Sequence, residues 1–230
     1  MEELPKSNNA FKANLHFHSA EDPKDRYISY NIYEGIDYAK ELGFKVIGLT
    51  CHEKFVYEKK MGLYAQKRGI LLIPGIEAKI EGRDVVILNC SKEIEKIRTF
   101  RELRNYKKEH PEIFILAPHP FFPTTYCLRK KLKENIDIFD AIEFSWYWHK
   151  WINFNKKAEE IARKYHKPYI ATSDTHFLNY MDKSYCLINA EKLEPDSLFK
   201  AIKRGQFENK SKPLTLWEIL KSQFQYHLKF

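Results

Sequence analysis

Short apolar runs alternate with longer amphipathic stretches along the chain. The first run, Asn14-Leu15-His16-Phe17-His18, reads as a strand; its period of two puts His16 and His18 on one face and Leu15 and Phe17 on the other. Residues 30–43 predict a helix, because Ile32, Ile36, Ala39 and Leu42 recur at helical spacing and Gly43 is placed to close it. Residues 45–50 form a short buried strand ending at Cys51-His52, and a charged helical stretch runs to about Arg68. Another apolar strand covers 70–77, with Glu77 at its exit. Gly82-Arg83-Asp84 marks a turn into a strand over 85–89. A helix over 91–109 leads into a strand over 114–120 that carries His119. Residues 139–144 read as a strand, 149–166 as a helix, and the strand from Pro168 ends in Ser173-Asp174-Thr175-His176. A strand over 185–189 and a helix over 195–204 follow, and 214–230 reads as one amphipathic helix.

This alternation predicts an α/β fold around a parallel sheet, with about seven βα units, which suits a TIM-like barrel better than a short open sheet. The expected division is a barrel over 1–213 and a C-terminal helix, 214–230, packed on it. In such barrels sites sit at the C-terminal ends of the strands, where every polar cluster named above falls.

Composition changes the picture only modestly. The 230 residues are 43% hydrophobic and 30% charged, as in a globular protein. No apolar run reaches membrane-spanning length and the start, MEELPKSNN, has no signal-peptide core, so a cytoplasmic location without a membrane partner is expected. Cys51, Cys90, Cys127 and Cys186 form no CxxC pair and are expected as buried thiols. The net charge of +8 favours anionic partners, whether phosphorylated metabolites or nucleic acid.

The candidate chemistry lies in HxH, H, E, H and DxH at successive strand exits: His16, His18, His52, Glu77, His119, Asp174 and His176. Each alone is more often a turn or half-buried residue, but together they supply a mixed imidazole and carboxylate ligand set. Such sets suit zinc, manganese or iron, and a carboxylate can bridge two ions. Lys54 and Arg26 are basic residues close to two of these clusters, where they can act as charge-assisted donors to an anionic ligand. Phe121, Phe122 and Tyr126, in the long loop after His119, are candidates to stack on a substrate ring, with core packing the safer expectation. Trp146, Trp148 and Trp151 are candidate pocket lining.

Leu15-His16-Phe17-His18-Ser19, Leu49-Thr50-Cys51-His52, Gly75-Ile76-Glu77, Pro118-His119-Pro120 and Ser173-Asp174-Thr175-His176 occur in one order over residues 14–176. In this the chain resembles the PHP (polymerase and histidinol phosphatase) superfamily of metallophosphoesterases. The resemblance implies a distorted (β/α)7 barrel with up to three metal ions at its mouth. One ion would take His16, His18, Glu77 and Asp174; a second, an acidic residue (Asp22, with Asp25 the alternative), His52 and His176; a third, Glu77 and His119. Cys51 stands where the family usually has aspartate, and Val86 where it usually has a histidine. Asp84, which on a regular strand shares the face of Val86, and Asn89, which does not, are the candidates to compensate; two tightly held ions are expected, with a third weak or absent. The activity implied is hydrolysis of a phosphate ester by a metal-activated hydroxide, with Glu77, His119 and Lys54 as catalytic candidates. A small-molecule phosphomonoesterase of the histidinol-phosphatase type is the first reading. A nuclease or nucleotide phosphodiesterase is the second, and a non-catalytic subunit of the ribonuclease P type the third.

Overall fold

The computed structural model describes residues 10–227. Strand β1 (Ala10–Phe17) leads through α1 (Ile32–Glu41), β2 (Val46–Leu49) and α2 (Lys59–Gln66) to β3 (Leu71–Ile80). Next come β4 (Arg83–Leu88), α3 (Phe100–Glu109), β5 (Phe114–Ala117), α4 (Lys130–Glu134), β6 (Ala141–Ser145), α5 (Lys156–Lys164) and β7 (Tyr169–Thr172). The described chain ends with β8 (Ser184–Asn189), α6 (Pro195–Lys203), β9 (Phe207–Ser211) and α7 (Leu216–His227). No helix among the described residues is long and apolar enough to cross a membrane.

The strands form one curled sheet in the order β7-β6-β5-β4-β3-β2-β1-β8-β9. Its ends nearly meet. Thr175, beyond β7, exchanges backbone hydrogen bonds with His16 and His18 at 3.2 and 3.1 Å. The Asn209 side chain on β9 receives the Ala171 N–H at 2.8 Å and donates to the Tyr169 carbonyl at 2.7 Å, so one amide pegs the two edges together. The result is the barrel that the βα alternation predicts. One departure comes from Glu81-Gly82, both at positive φ (47° and 74°), which form a two-residue hairpin turn of the kind that twisted strands favour. No helix intervenes there, and β4 runs antiparallel to β3 and β5. Strands β8 and β9 also run antiparallel to their neighbours.

Two predicted helices are shorter than their patterns. The 91–109 stretch divides into a 3₁₀ turn at Lys92–Lys96 and α3, because Thr99 and Glu102 make a capping box that starts a new helix. The helix expected from residue 149 begins at Lys156. Ahead of it, the Asn155 side chain accepts from the Ser145 N–H and donates to the Ser145 carbonyl, holding the preceding loop against β6.

Leu15, Val46, Ile73, Val86, Leu116, Ala141 and Ile170 form a core shared with Leu198, Phe199 and Ile202 of α6. Phe17 does not follow Leu15 into it. The β1–β2 register shifts between Asn14 and Phe17, and this bulge sends Phe17 to a separate core with Ile36 and Leu49. Burial of Phe17 or Ile36 contributes roughly 1.5–3 kcal/mol each, enough to fix the bulge beside His16 and His18. The expected common face for Leu15 and Phe17 is thus replaced by two faces. All four cysteines are free and buried.

Candidate metal centre

The strands deliver one cluster to the C-terminal mouth of the barrel. His16 and His18 come from the end of β1, His52 follows β2, Glu77 lies in β3 and Asp84 in β4. His119 follows β5, and Asp174 and His176 follow β7. His52 and Glu77 are paired as a parallel bridge, so the exit of β2 is fixed against β3. His119, between Pro118 and Pro120, has φ of 27°, and Asp174 has φ of 43°. Left-handed backbone at two non-glycine residues is the kind of strain that persists where the surroundings hold a functional geometry.

Five imidazoles are oriented in the same sense. His16 Nδ1 lies 3.0 Å from Glu143, and Asp22 Oδ2 is 2.9 Å from Nδ1 of both His18 and His52. His176 Nδ1 lies 3.0 Å from the Asp174 carbonyl, and His119 Nδ1 lies 3.5 Å from Cys127 Sγ. A ring nitrogen donating outward in this way leaves Nε2 as the free lone pair. The five Nε2 atoms face the centre. Glu77 Oε2 is 3.2, 3.4 and 3.0 Å from Nε2 of His16, His18 and His52, while Glu77 Oε1 is 3.2 Å from Nε2 of His119. Asp174 Oδ1 is 3.3 Å from Nε2 of both His16 and His18, and Asp25 Oδ2 is 2.7 Å from Nε2 of His176.

These groups can hold metal in three overlapping sets. His16, His18, Glu77 and Asp174 form one; His18, Asp25, His52 and His176 a second; Glu77, Asp84 and His119 a third. Within each set the ligand atoms lie within 4.8 Å of one another. His18 Nε2, Asp25 Oδ2 and Asp174 Oδ1 are buried without a hydrogen-bond partner despite these close approaches. Buried polar atoms left this way are costly in a protein interior, whereas a divalent ion between them satisfies all at once. The donor set fits a divalent metal of the zinc, manganese or iron class.

Burial disfavours the charge of Glu77, but His16 and His52 beside it hold its carboxyl well below the usual range. Burial and the neighbouring His52 both oppose protonation of His18, yet the carboxylates of Asp174, Asp22 and Glu77 close around it outweigh them and push it up to about 9.

The structure brings His16, His18, His52, Glu77, His119, Asp174 and His176 together. Of the two acidic alternatives, Asp25 joins a ligand set and Asp22 stands behind it. Both Asp22 oxygens are engaged, Oδ2 with His18 and His52 and Oδ1 with the N–H groups of Lys24 and Asp25. Lys54 and Arg26 are exposed on the loops beside His52 and Asp25. Trp146 is buried against Tyr180, Trp148 donates to Ser211 Oγ at 2.9 Å, and Trp151 is 81% exposed. Phe122 lies edge-on to His119 and packs on Phe154, Phe121 lines a neighbouring cavity, and Tyr126 is exposed over Lys79. Two functional candidates escape the strand-exit pattern. Glu143, fully buried on β6, also takes the hydroxyl of Thr172 and the N–H of His119. Asp84 reaches the third set from within β4. Its place as the one carboxylate within the apolar stretch Ala141-Ile142-Glu143-Phe144 is the one signal that points to Glu143.

Residues 153–207, which include Asp174 and His176, match the PHP-associated family (PHP_C). No curated protein gives a significant match to the sequence. Among solved structures, the chain is similar to a two-domain protein of Bacteroides vulgatus ATCC 8482 containing a predicted PHP-like metal-dependent phosphoesterase. That likeness has a TM-score of 0.70 at 18% identity over 99% of this chain and 72% of the other. PsfC of Pseudomonas syringae PB-5123 gives a TM-score of 0.65 at 14% identity over 96% and 99%. The lesion-specific endonuclease PfuEndoQ of Pyrococcus furiosus gives 0.65 at 15% identity over 93% and 66%. The PHP-associated match covers one segment of the chain, and these solved structures, all below 25% identity, share its fold.

Proposed function

We propose that the chain is a metal-dependent phosphoesterase. The observation that carries this reading is the sharing of His18 and Glu77 between ligand sets, which would place neighbouring cations around one carboxylate. Divalent ions held there would supply Lewis acidity toward phosphoryl oxygens and acidify a water molecule. The ligands proposed for them are His16, His18, Asp25, His52, Glu77, His119, Asp174 and His176. Glu77 spans two sets, one oxygen toward His16, His18 and His52 and the other toward His119. Asp22 and Glu143 orient the rings, and Lys54 offers an exposed ammonium to non-bridging phosphate oxygens. Where no ion takes the third set, His119 Nε2 is free to hold a proton for the leaving oxygen instead.

A small phosphomonoester is the simplest substrate, and one observation favours the nucleolytic alternative. A cavity of about 730 Å³ is lined by Phe121, Phe154, Arg129, Lys130, Lys156 and Lys157, together with Pro123 and Asn153. Four cations without a carboxylate, interleaved with two phenyl rings, suit a polyanion carrying stackable bases. Phe122, between His119 and Phe154, connects this cavity to the centre. The likeness to an endonuclease agrees with that alternative. The test is turnover of p-nitrophenyl phosphate, its bis ester and a single-stranded oligonucleotide with added Mn²⁺, in wild type and in Lys156→Glu/Lys157→Glu. Loss confined to the oligonucleotide supports the nucleolytic form, and equal monoester turnover in both proteins without oligonucleotide cleavage supports the phosphomonoesterase. No turnover of any ester contradicts the proposed activity.

A further inference from the structure

The β3–β4 hairpin gives the third ligand set a feature that the other two lack. Its register places Val86 opposite Glu77 and Asp84 opposite Lys79, so Asp84 is two cross-strand pairs nearer the turn. Val86 is fully buried in the barrel core and offers no lone pair. Asp84, on the same face of β4, is also buried, and its carboxylate falls within 4.8 Å of the ligand atoms of Glu77 and His119. That carboxylate already has a cation. Lys79 Nζ is ion-paired with Asp84 Oδ1 and lies 3.8 Å from the centre of the Tyr126 ring. Tyr126 is itself tied to the hairpin, since its carbonyl accepts the Asp84 N–H at 2.9 Å. The ammonium is therefore held between a buried carboxylate and an aromatic face anchored to the same strand, an arrangement that favours a fixed cation over a solvated one.

We propose that Lys79 is the resident cation of the third position, neutralising Asp84 so that a divalent ion binds there only by displacing the ammonium from it. The inference rests on the reading of the cluster as a metal centre. The tight complement is then two divalent ions, with a lysine ammonium in the place of a third. An ammonium and a divalent ion compete for one carboxylate oxygen, and burial makes that competition strong because neither charge is well screened. Removing the ammonium leaves Asp84 as a buried carboxyl that must take up either a divalent ion or a proton, and a divalent ion there also gains Glu77 and His119 as ligands.

The test is the number of Mn²⁺ ions bound per chain, by equilibrium dialysis and elemental analysis, with the full-length chain in wild type, Lys79→Met, Lys79→Arg and Lys79→Met/Asp84→Asn. The expected result is two ions in wild type and Lys79→Arg, three in Lys79→Met, and two again in the double variant. Should Lys79→Met fold poorly, titration of wild type at rising Mn²⁺ gives an independent reading. A third ion binding about tenfold or more weaker than the first two supports the proposal. Three equally tight ions in wild type, or two in Lys79→Met that remain two at high Mn²⁺, overturn it while leaving the metal centre in place. No bound Mn²⁺ in any of the four proteins overturns the metal-centre reading, and the inference with it.

Discussion

Glu143 accepts a hydrogen bond from Nδ1 of His16 at 3.0 Å, both side chains being fully out of solvent. The same carboxylate receives the His119 N–H, so one residue on β6 fixes an imidazole on β1 and the strained backbone after β5. Glu143→Gln should lower metal affinity or turnover about 10–100-fold, the range for residues that orient ligands, with little change in far-ultraviolet circular dichroism. A variant with unchanged Mn²⁺ affinity and turnover would remove Glu143 from this role.

Glu77 spans two ligand sets, and among the described residues no other carboxylate combines contacts with His16, His18, His52 and His119, Asp174 sharing only the first two. Glu77→Gln should bind fewer ions and lose more than about 100-fold in rate, beyond the effect of an orienting residue. Elemental analysis beside steady-state kinetics checks this, and wild-type metal content would rule out a bridging role.

Asp22 and Asp25 should separate in effect, because Asp25 belongs to a ligand set and Asp22 only orients His18 and His52. Asp25→Asn is expected to lose one ion, and Asp22→Asn to keep it with affinity reduced about 10–100-fold. Loss of the ion only in Asp22→Asn would invert the assignment.

The raised His18 value sets a pH dependence for metal-free protein. A histidine raised from 6.5 to about 9 on folding contributes stability that is complete below 6.5 and is lost as pH rises through 9. The chelated protein should melt at progressively lower temperature across that interval, and saturating Mn²⁺ should reverse the trend because ligation needs the neutral ring. Thermal melts at pH 6.5, 7.5 and 9 with and without Mn²⁺ check the sign. A chelated protein that gains stability over this range would contradict it.

Much of the barrel was legible because hydrophobic period and strand-exit chemistry are local. The βα alternation announces the sheet, and five short motifs announce seven of the clustered residues. What escaped depends on register. The bulge that parts Leu15 from Phe17 arises in the pairing of β1 with β2 and leaves no mark in an alternating sequence. What places Asp84 beside Glu77 and His119 is the two-residue hairpin at Glu81-Gly82, and the choice between Asp22 and Asp25 turns on a loop that brings Asp22 onto two histidine rings. Polar β9, whose Asn209 pegs the barrel edges, has no hydrophobic period to reveal it.

The central claim is that this cluster works through bound divalent ions, and it is tested most directly by turnover of a p-nitrophenyl phosphate ester in one preparation before chelation, after exhaustive chelation, and after Mn²⁺ or Zn²⁺ is returned. The account predicts activity that vanishes with the metal and returns with it, in step with metal content. Full turnover by the metal-stripped protein would contradict it.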